Sequence, residues 1–125
     1  MPPPVRVMVV DDTLRVRNML TSMLALDGFE VVGSSCSGRE AIAMIETLDP
    51  DVVVIDYKMP GMDGLETARR VRKSRPAQIM IMYSAFIDPQ LQEAAEAAGI
   101  AVCLDKLEGL ASLEHEISRL CAMLL

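Results

Sequence analysis

Two hydrophobic rhythms alternate along the chain. Five short runs, VRVMVV (5–10), FEVVGS (29–34), DVVVID (51–56), QIMIMYS (78–84) and IAVCL (100–104), are mostly apolar and rich in Val, Ile and Met. A strand reads this way when a parallel sheet is covered on both faces. The segments after these runs repeat their apolar residues every three to four positions, the spacing of one helix face. The stripes are Val16, Met19, Leu20, Met23 and Leu24; Ala41, Ile45 and Leu48; Leu65, Ala68 and Val71; Leu91, Ala94, Ala95 and Ala98; and Leu110, Leu113, Ile117, Leu120 and Leu124.

Turn and cap residues punctuate the series where the rhythm changes. Ser37 with Glu40 has the form of a capping box, and Asp63 with Glu66 is a weaker version of it. Asp88 precedes Pro89, a cap followed by a first-turn proline. Gly28 and Gly99 stand where helices should end. No linker, repeat or low-complexity tract intervenes, so residues 1–125 are expected to form one α/β domain. Five strand–helix units imply a parallel sheet with right-handed crossovers. They are too few to close an eight-stranded barrel, so an open, doubly wound sandwich in strand order 2-1-3-4-5 is expected. Such a sheet does its chemistry at the carboxyl ends of strands 1 and 3.

Composition narrows the class of partner. The core must be aliphatic, since 51% of residues are hydrophobic and only 3% aromatic, with ten Met as filler. A net charge of −6 argues against nucleic acid or an anionic membrane as the main partner. The basic run Arg69, Arg70, Arg72, Lys73 and Arg75 is read as the wet face of the third helix. Cys36, Cys103 and Cys121 are odd in number and widely spaced, which suits free thiols in a reducing cytosol. The opening MPPPVR has no secretory pattern, and no run approaches the roughly 18 apolar residues of a membrane span. A cytoplasmic protein is therefore expected. Lone His115, between Glu114 and Glu116, is read as an exposed helical residue. The stripe of the last helix is assigned to sheet packing in preference to a coiled dimer seam.

Candidate chemistry lies at the expected sheet rim. Strand 1 runs out into Asp11-Asp12 and strand 3 into Asp56. Neighbouring strands would bring three carboxylates within a few ångströms, raising at least one pKa unless a divalent cation sits among them. A hard ion such as Mg²⁺ takes carboxylate, carbonyl and water oxygens. Strand 4 ends in Tyr83-Ser84, and Asp105-Lys106 follows strand 5. A carboxylate nucleophile, a metal, a hydroxyl and an ammonium form a set suited to phosphoryl transfer onto Asp56. Each residue alone has a plainer reading: Asp56 as a turn former, Ser84 as a strand-end serine, Lys106 as a solvated lysine. Asp11-Asp12 also suits an N-cap, and one of the pair is expected to cap helix 1 as well.

VVDD (9–12), DYKMPGMDG (56–64), YSA (83–85) and DK (105–106), taken in order, resemble the receiver domain of bacterial two-component response regulators over essentially the full chain. The resemblance implies a five-stranded (βα)₅ flavodoxin-like sandwich. It implies Asp56 as phosphoacceptor, with Asp12 a direct Mg²⁺ ligand and Asp11 acting mainly through water. Asp56 and the backbone carbonyl of Lys58 complete the protein ligands, and Mn²⁺ is an alternative ion. Ser84 would bond a phosphoryl oxygen, and Lys106 would pair with the phosphoryl group. The implied partners are a sensor histidine kinase or phosphotransfer protein and a downstream protein target or effector domain, with a phosphorylation-dependent homodimer as a further option. Such a domain catalyses only its own phosphorylation and dephosphorylation.

Two positions depart from the family. Cys103 stands where Tyr or Phe usually swings inward, so switching is expected to rely on the Ser84 loop and helix 4, with Phe86 available to fill the space. Leu107 stands where Pro usually follows the lysine, and a trans Lys106–Leu107 bond is expected because a non-proline cis bond costs about 2.5–4 kcal/mol. Competing readings are a small Mg²⁺-dependent phosphatase acting through an aspartyl phosphate, flavin binding on the same fold, and a dimerisation module that works without phosphorylation. Lys58 counts against the phosphatase, which would place a second acid there. DDTLR offers acids where a flavin phosphate would need Ser or Thr.

Overall fold

A computed structural model describes residues 3–122. Five parallel strands alternate with five α-helices: β1 (Arg6–Val10), α1 (Leu14–Leu26), β2 (Glu30–Ser35), α2 (Gly38–Leu48), β3 (Val52–Ile55), α3 (Gly64–Ser74), β4 (Ile79–Ser84), α4 (Pro89–Ala97), β5 (Val102–Asp105) and α5 (Leu110–Ala122). The strands lie in the expected order, β2-β1-β3-β4-β5. Each neighbouring pair is parallel.

Side-chain alternation along the strands builds two cores. Met8, Val10, Val53, Ile55, Met80 and Met82 face α2, α3 and α4. Val7, Val9, Val52, Val54, Ile81 and Tyr83 face α1 and α5. The apolar strand runs are continuous because successive residues feed opposite layers. Helix caps follow the punctuation. Ser37 Oγ accepts from Glu40 N–H at 3.2 Å, Asp63 Oδ1 from Glu66 N–H at 2.9 Å and Asp88 Oδ1 from Leu91 N–H at 2.8 Å.

Two expectations need correcting. Met19 and Met23 are largely exposed, because α1 docks through Leu20 and Leu24 with Val16 beside them. The last apolar run pairs in the sheet only from Val102, since Ile100 N–H closes the end of α4 on Ala95 O at 3.0 Å. The basic run of α3 is exposed from Arg69 to Lys73, as expected, and is also tethered: Arg72 Nη1 donates to Ala97 O at 3.2 Å, and Arg75 pairs with Asp49. Arg69 and Arg70 pair with Glu66 one turn back. Leu124, assigned to the stripe of the last helix, lies outside the described residues.

The rim at the amino ends of the strands is laced together. Arg6 N–H donates to Asp51 Oδ2 at 2.9 Å, and Arg6 Nη1 to Asp49 O at 2.8 Å. Gln78 Nε2 donates to Pro50 O at 3.1 Å. The opposite rim carries the acids. Among the described residues no helix is long and apolar enough to cross a membrane.

Candidate functional site

Strand pairing delivers the site residues to one place. β1 and β3 are in register with Val10 beside Ile55, so the residues that follow emerge side by side. Asp56 N–H extends that ladder by one bond, to Val10 O at 2.9 Å. Ser84 closes β4 beside Asp105 of β5, and Lys106 begins a short 3₁₀ turn, Lys106–Glu108. The Lys106–Leu107 peptide is trans, as the absence of proline predicts.

The acid cluster forms. Asp11, Asp12 and Asp56 each offer a carboxylate oxygen, and these oxygens lie within 4.8 Å of one another. Asp11 is 2% exposed and Asp56 9%, whereas Asp12 faces solvent. Thr13 N–H donates to Asp11 Oδ1 at 2.9 Å and Tyr57 N–H to Asp56 Oδ1 at 2.8 Å. Lys106 Nζ lies 2.9 Å from Asp11 Oδ2 and 3.5 Å from Asp56 Oδ2. Three clustered carboxylates are a hard-oxygen donor set, which fits Mg²⁺ or Mn²⁺.

Burial raises the Asp56 pKa first, and the Asp11 charge adds to it; the Lys106 charge, the Ser84 hydroxyl and the Tyr57 N–H pull the other way without cancelling the rise. The rise expected from repulsion is present, but its leading cause is lost hydration. For Lys106, burial works against the charge, yet the hydrogen bond to Asp11 and the charges of Asp56 and Asp11 prevail and the pKa is raised. The ammonium therefore stays charged at neutral pH.

Two clefts flank the cluster. One, of about 580 Å³, is lined by Asp56, Lys58, Ser84, Phe86, Leu91 and Lys106. The other, of about 470 Å³, runs from Asp12 past Lys58 to Gly61 and Asp63. Lys58 thus borders both. Ser84 is 5% exposed and Phe86 80%, two residues apart on the same wall.

Sequence reasoning missed the backbone scaffold. Arg17 Nη1 donates to Asp11 O at 2.7 Å and fixes the β1–α1 turn from the first turns of the helix. Gly64 N–H donates to Tyr57 O at 2.7 Å, and a Cβ on Gly64 would lie 2.1 Å from Asp56 O. Neither Asp11 nor Asp12 caps α1: the cap position is Thr13, whose side chain makes no capping bond. Asp11 instead accepts Thr13 N–H, a local turn that keeps its second oxygen facing the cluster. Gly64 carried a signal as part of a glycine-punctuated loop; Arg17 carried none.

A family model described as the response regulator receiver domain matches residues 7–118. The response regulator GacA of Pseudomonas viridiflava is 39% identical over 114 residues, covering 90% of this chain and 53% of that protein. The chain thus spans about half the length of the curated relatives it matches. Among solved structures, a LuxR-family two-component response regulator from Aurantimonas sp. SI85-9A1 superposes with a TM-score of 0.91 at 27% identity, covering 95% of this chain and 86% of that one. A chain of the CheX-CheY-BeF3-Mg+2 complex from Borrelia burgdorferi superposes with a TM-score of 0.85 at 25% identity, covering 98% and 90%.

Proposed function

The chain belongs to the response regulator receiver domain family, and from that premise we propose that it accepts a phosphoryl group on Asp56 and relays the change to a protein partner. The family is not by itself a catalytic one. The observation that carries the reading is the convergence of Lys106 Nζ on two of the three clustered acids, 2.9 Å from Asp11 and 3.5 Å from Asp56. A lysine held there offsets the repulsion between an anionic nucleophile and an anionic donor.

The donor is a phosphohistidine on a sensor kinase or phosphotransfer protein, or acetyl phosphate in its place. An Asp56 carboxylate oxygen forms a bond to phosphorus while the phosphorus–nitrogen bond of the phosphohistidine breaks and its imidazole takes up a proton from solvent; with acetyl phosphate a phosphorus–oxygen bond breaks and acetate departs. Asp12 would hold Mg²⁺ directly, Asp11 mainly through water, and Asp56 and the Lys58 carbonyl would complete the protein ligands. Bound there, the ion would neutralise charge on the transferring oxygens. Lys106 pairs with one phosphoryl oxygen and the Ser84 hydroxyl donates to another. The requirement is geometric: residues from the ends of four strands must hold their places while one phosphoryl group arrives.

Cys103 cannot act as an aromatic lever. It is half-buried against the layer of α2, α3 and α4. The exposed Phe86, bordering the same cleft as Ser84 and Leu91, is the aromatic group able to respond instead. Phosphorylation shifts an existing equilibrium of the β4–α4 segment and α4, which changes the face offered to a target protein, an effector domain or a second copy. Residues 1–125 act as one receiver unit in the cytoplasm.

Incubation with acetyl phosphate and Mg²⁺ tests the reading by intact mass. Wild type should gain one phosphoryl group and Asp56→Ala none. Equal labelling of both would overturn it, and steady turnover of p-nitrophenyl phosphate by wild type would make the protein a phosphatase instead.

A further inference from the structure

Resting on that reading of the acid cluster, we infer that Arg17 is a positioning residue for the divalent cation: its bond to the Asp11 carbonyl sets where the Asp12 carboxylate points. Asp11 is held at each of its polar groups. Its N–H donates to Ser35 O at 3.1 Å, its Oδ1 accepts from Thr13 N–H at 2.9 Å, and its Oδ2 lies 2.9 Å from Lys106 Nζ. Arg17 Nη1 holds the remaining group, the carbonyl, at 2.7 Å. The exposed Asp12 carboxylate makes no hydrogen bond among the described residues. Its direction therefore depends on the peptide that joins it to Asp11, and Arg17 grips the carbonyl of that peptide.

The helix gives Arg17 a firm base. Residues 17, 20 and 24 share one face of α1 by helical spacing, and Leu20 and Leu24 are buried in the core. Helical side chains lean toward the amino end of their helix, so Arg17 reaches back to the β1–α1 turn. Its own N–H donates to Thr13 O at 3.0 Å and closes the first turn. The guanidinium also brings positive charge toward three carboxylates, which opposes a cation. Charge and position thus act with opposite sign: deleting the charge tightens Mg²⁺ binding, and losing the position loosens it. A partly exposed charge is screened to a few-fold effect. Losing a group that orients a metal ligand costs roughly tenfold to a hundredfold. Position prevails.

The test is calorimetric titration of Mg²⁺ into metal-free wild type, Arg17→Met, Arg17→Lys and Arg15→Gln, with circular dichroism to establish that each is folded. Arg15→Gln deletes the same charge two residues away, on the exposed side of α1. Arg17→Met should bind Mg²⁺ roughly tenfold more weakly, with Arg17→Lys, which keeps a donor on a long stem, in between. Arg15→Gln should bind like wild type or slightly more tightly. In acetyl phosphate labelling, Arg17→Met should need roughly tenfold more Mg²⁺ for its half-maximal rate and approach the wild-type rate at saturation. A merely structural role would lower the melting temperature and leave Mg²⁺ affinity unchanged, and that result overturns the inference. So does tighter binding by Arg17→Met, equal weakening in Arg15→Gln, or loss of folding in both Arg17 variants. These outcomes leave the phosphoacceptor reading intact. Absence of any Mg²⁺ binding by wild type fails that reading and takes the inference with it.

Discussion

Gly64 lacks a side chain where the carbonyl of Asp56 takes up the space, and its N–H ties Tyr57 O at 2.7 Å. An added Cβ would meet backbone, which cannot rotate away. Gly64→Ala is expected to destabilise by about 1–3 kcal/mol, as overpacking does, and to slow labelling of Asp56 because the strain falls on its own peptide. Gly61 is the control: its φ of 78° is left-handed, but nothing lies within 4 Å of a Cβ there. Gly61→Ala should lower stability alone. Urea melts beside acetyl phosphate labelling separate the two, and normal labelling of Gly64→Ala would refute the coupling. At this scale the acids, Ser84 and Lys106 were legible, since each ends or follows a readable strand. The Arg17 bond to Asp11 O was not, because it depends on how α1 docks.

Helices were read more accurately at their ends than on their faces. Caps at Ser37, Asp63 and Asp88 are local events, settled by a side chain and an N–H three residues on. Which side of α1 is buried depends on the partner helix, and Met19 and Met23 were misplaced for that reason. The α1–α5 contact also holds a pair of acids. Burial first, then the hydrogen bond and charge of Asp27, push the Glu114 pKa from 4.5 to about 7. Glu114 Oε2 is inaccessible and has no hydrogen-bond partner, so its charged form is poorly solvated. The folded form binds the Glu114 proton more tightly than the unfolded chain. Its contribution is therefore complete below pH 4.5 and is lost as pH rises through about 7. Glu114→Gln should be the more stable protein at pH 8, with its advantage shrinking toward pH 5 in thermal melts. A pH-independent difference would count against the raised Glu114 pKa.

Strand order and the position of the site were open to sequence reasoning because few topologies suit a parallel sheet covered on both faces, and the family resemblance selects one of them. Motion is harder to read, since it depends on which packed elements hold least tightly. With Cys103 half-buried and Phe86 exposed beside Ser84, the β4–α4 segment is the element expected to respond. Hydrogen exchange with and without BeF₃⁻ and Mg²⁺ should show changed protection over residues 84–98 and little change in β1 and β3. Unaltered exchange across 84–98 would exclude that segment as the relay. The lacing of Arg6, Gln78 and Arg75 onto residues 49–51 gives the molecule a firm heel opposite its working edge. Loops at the charged pole can thus be rebuilt for a new audience while the foundation keeps the strands aligned.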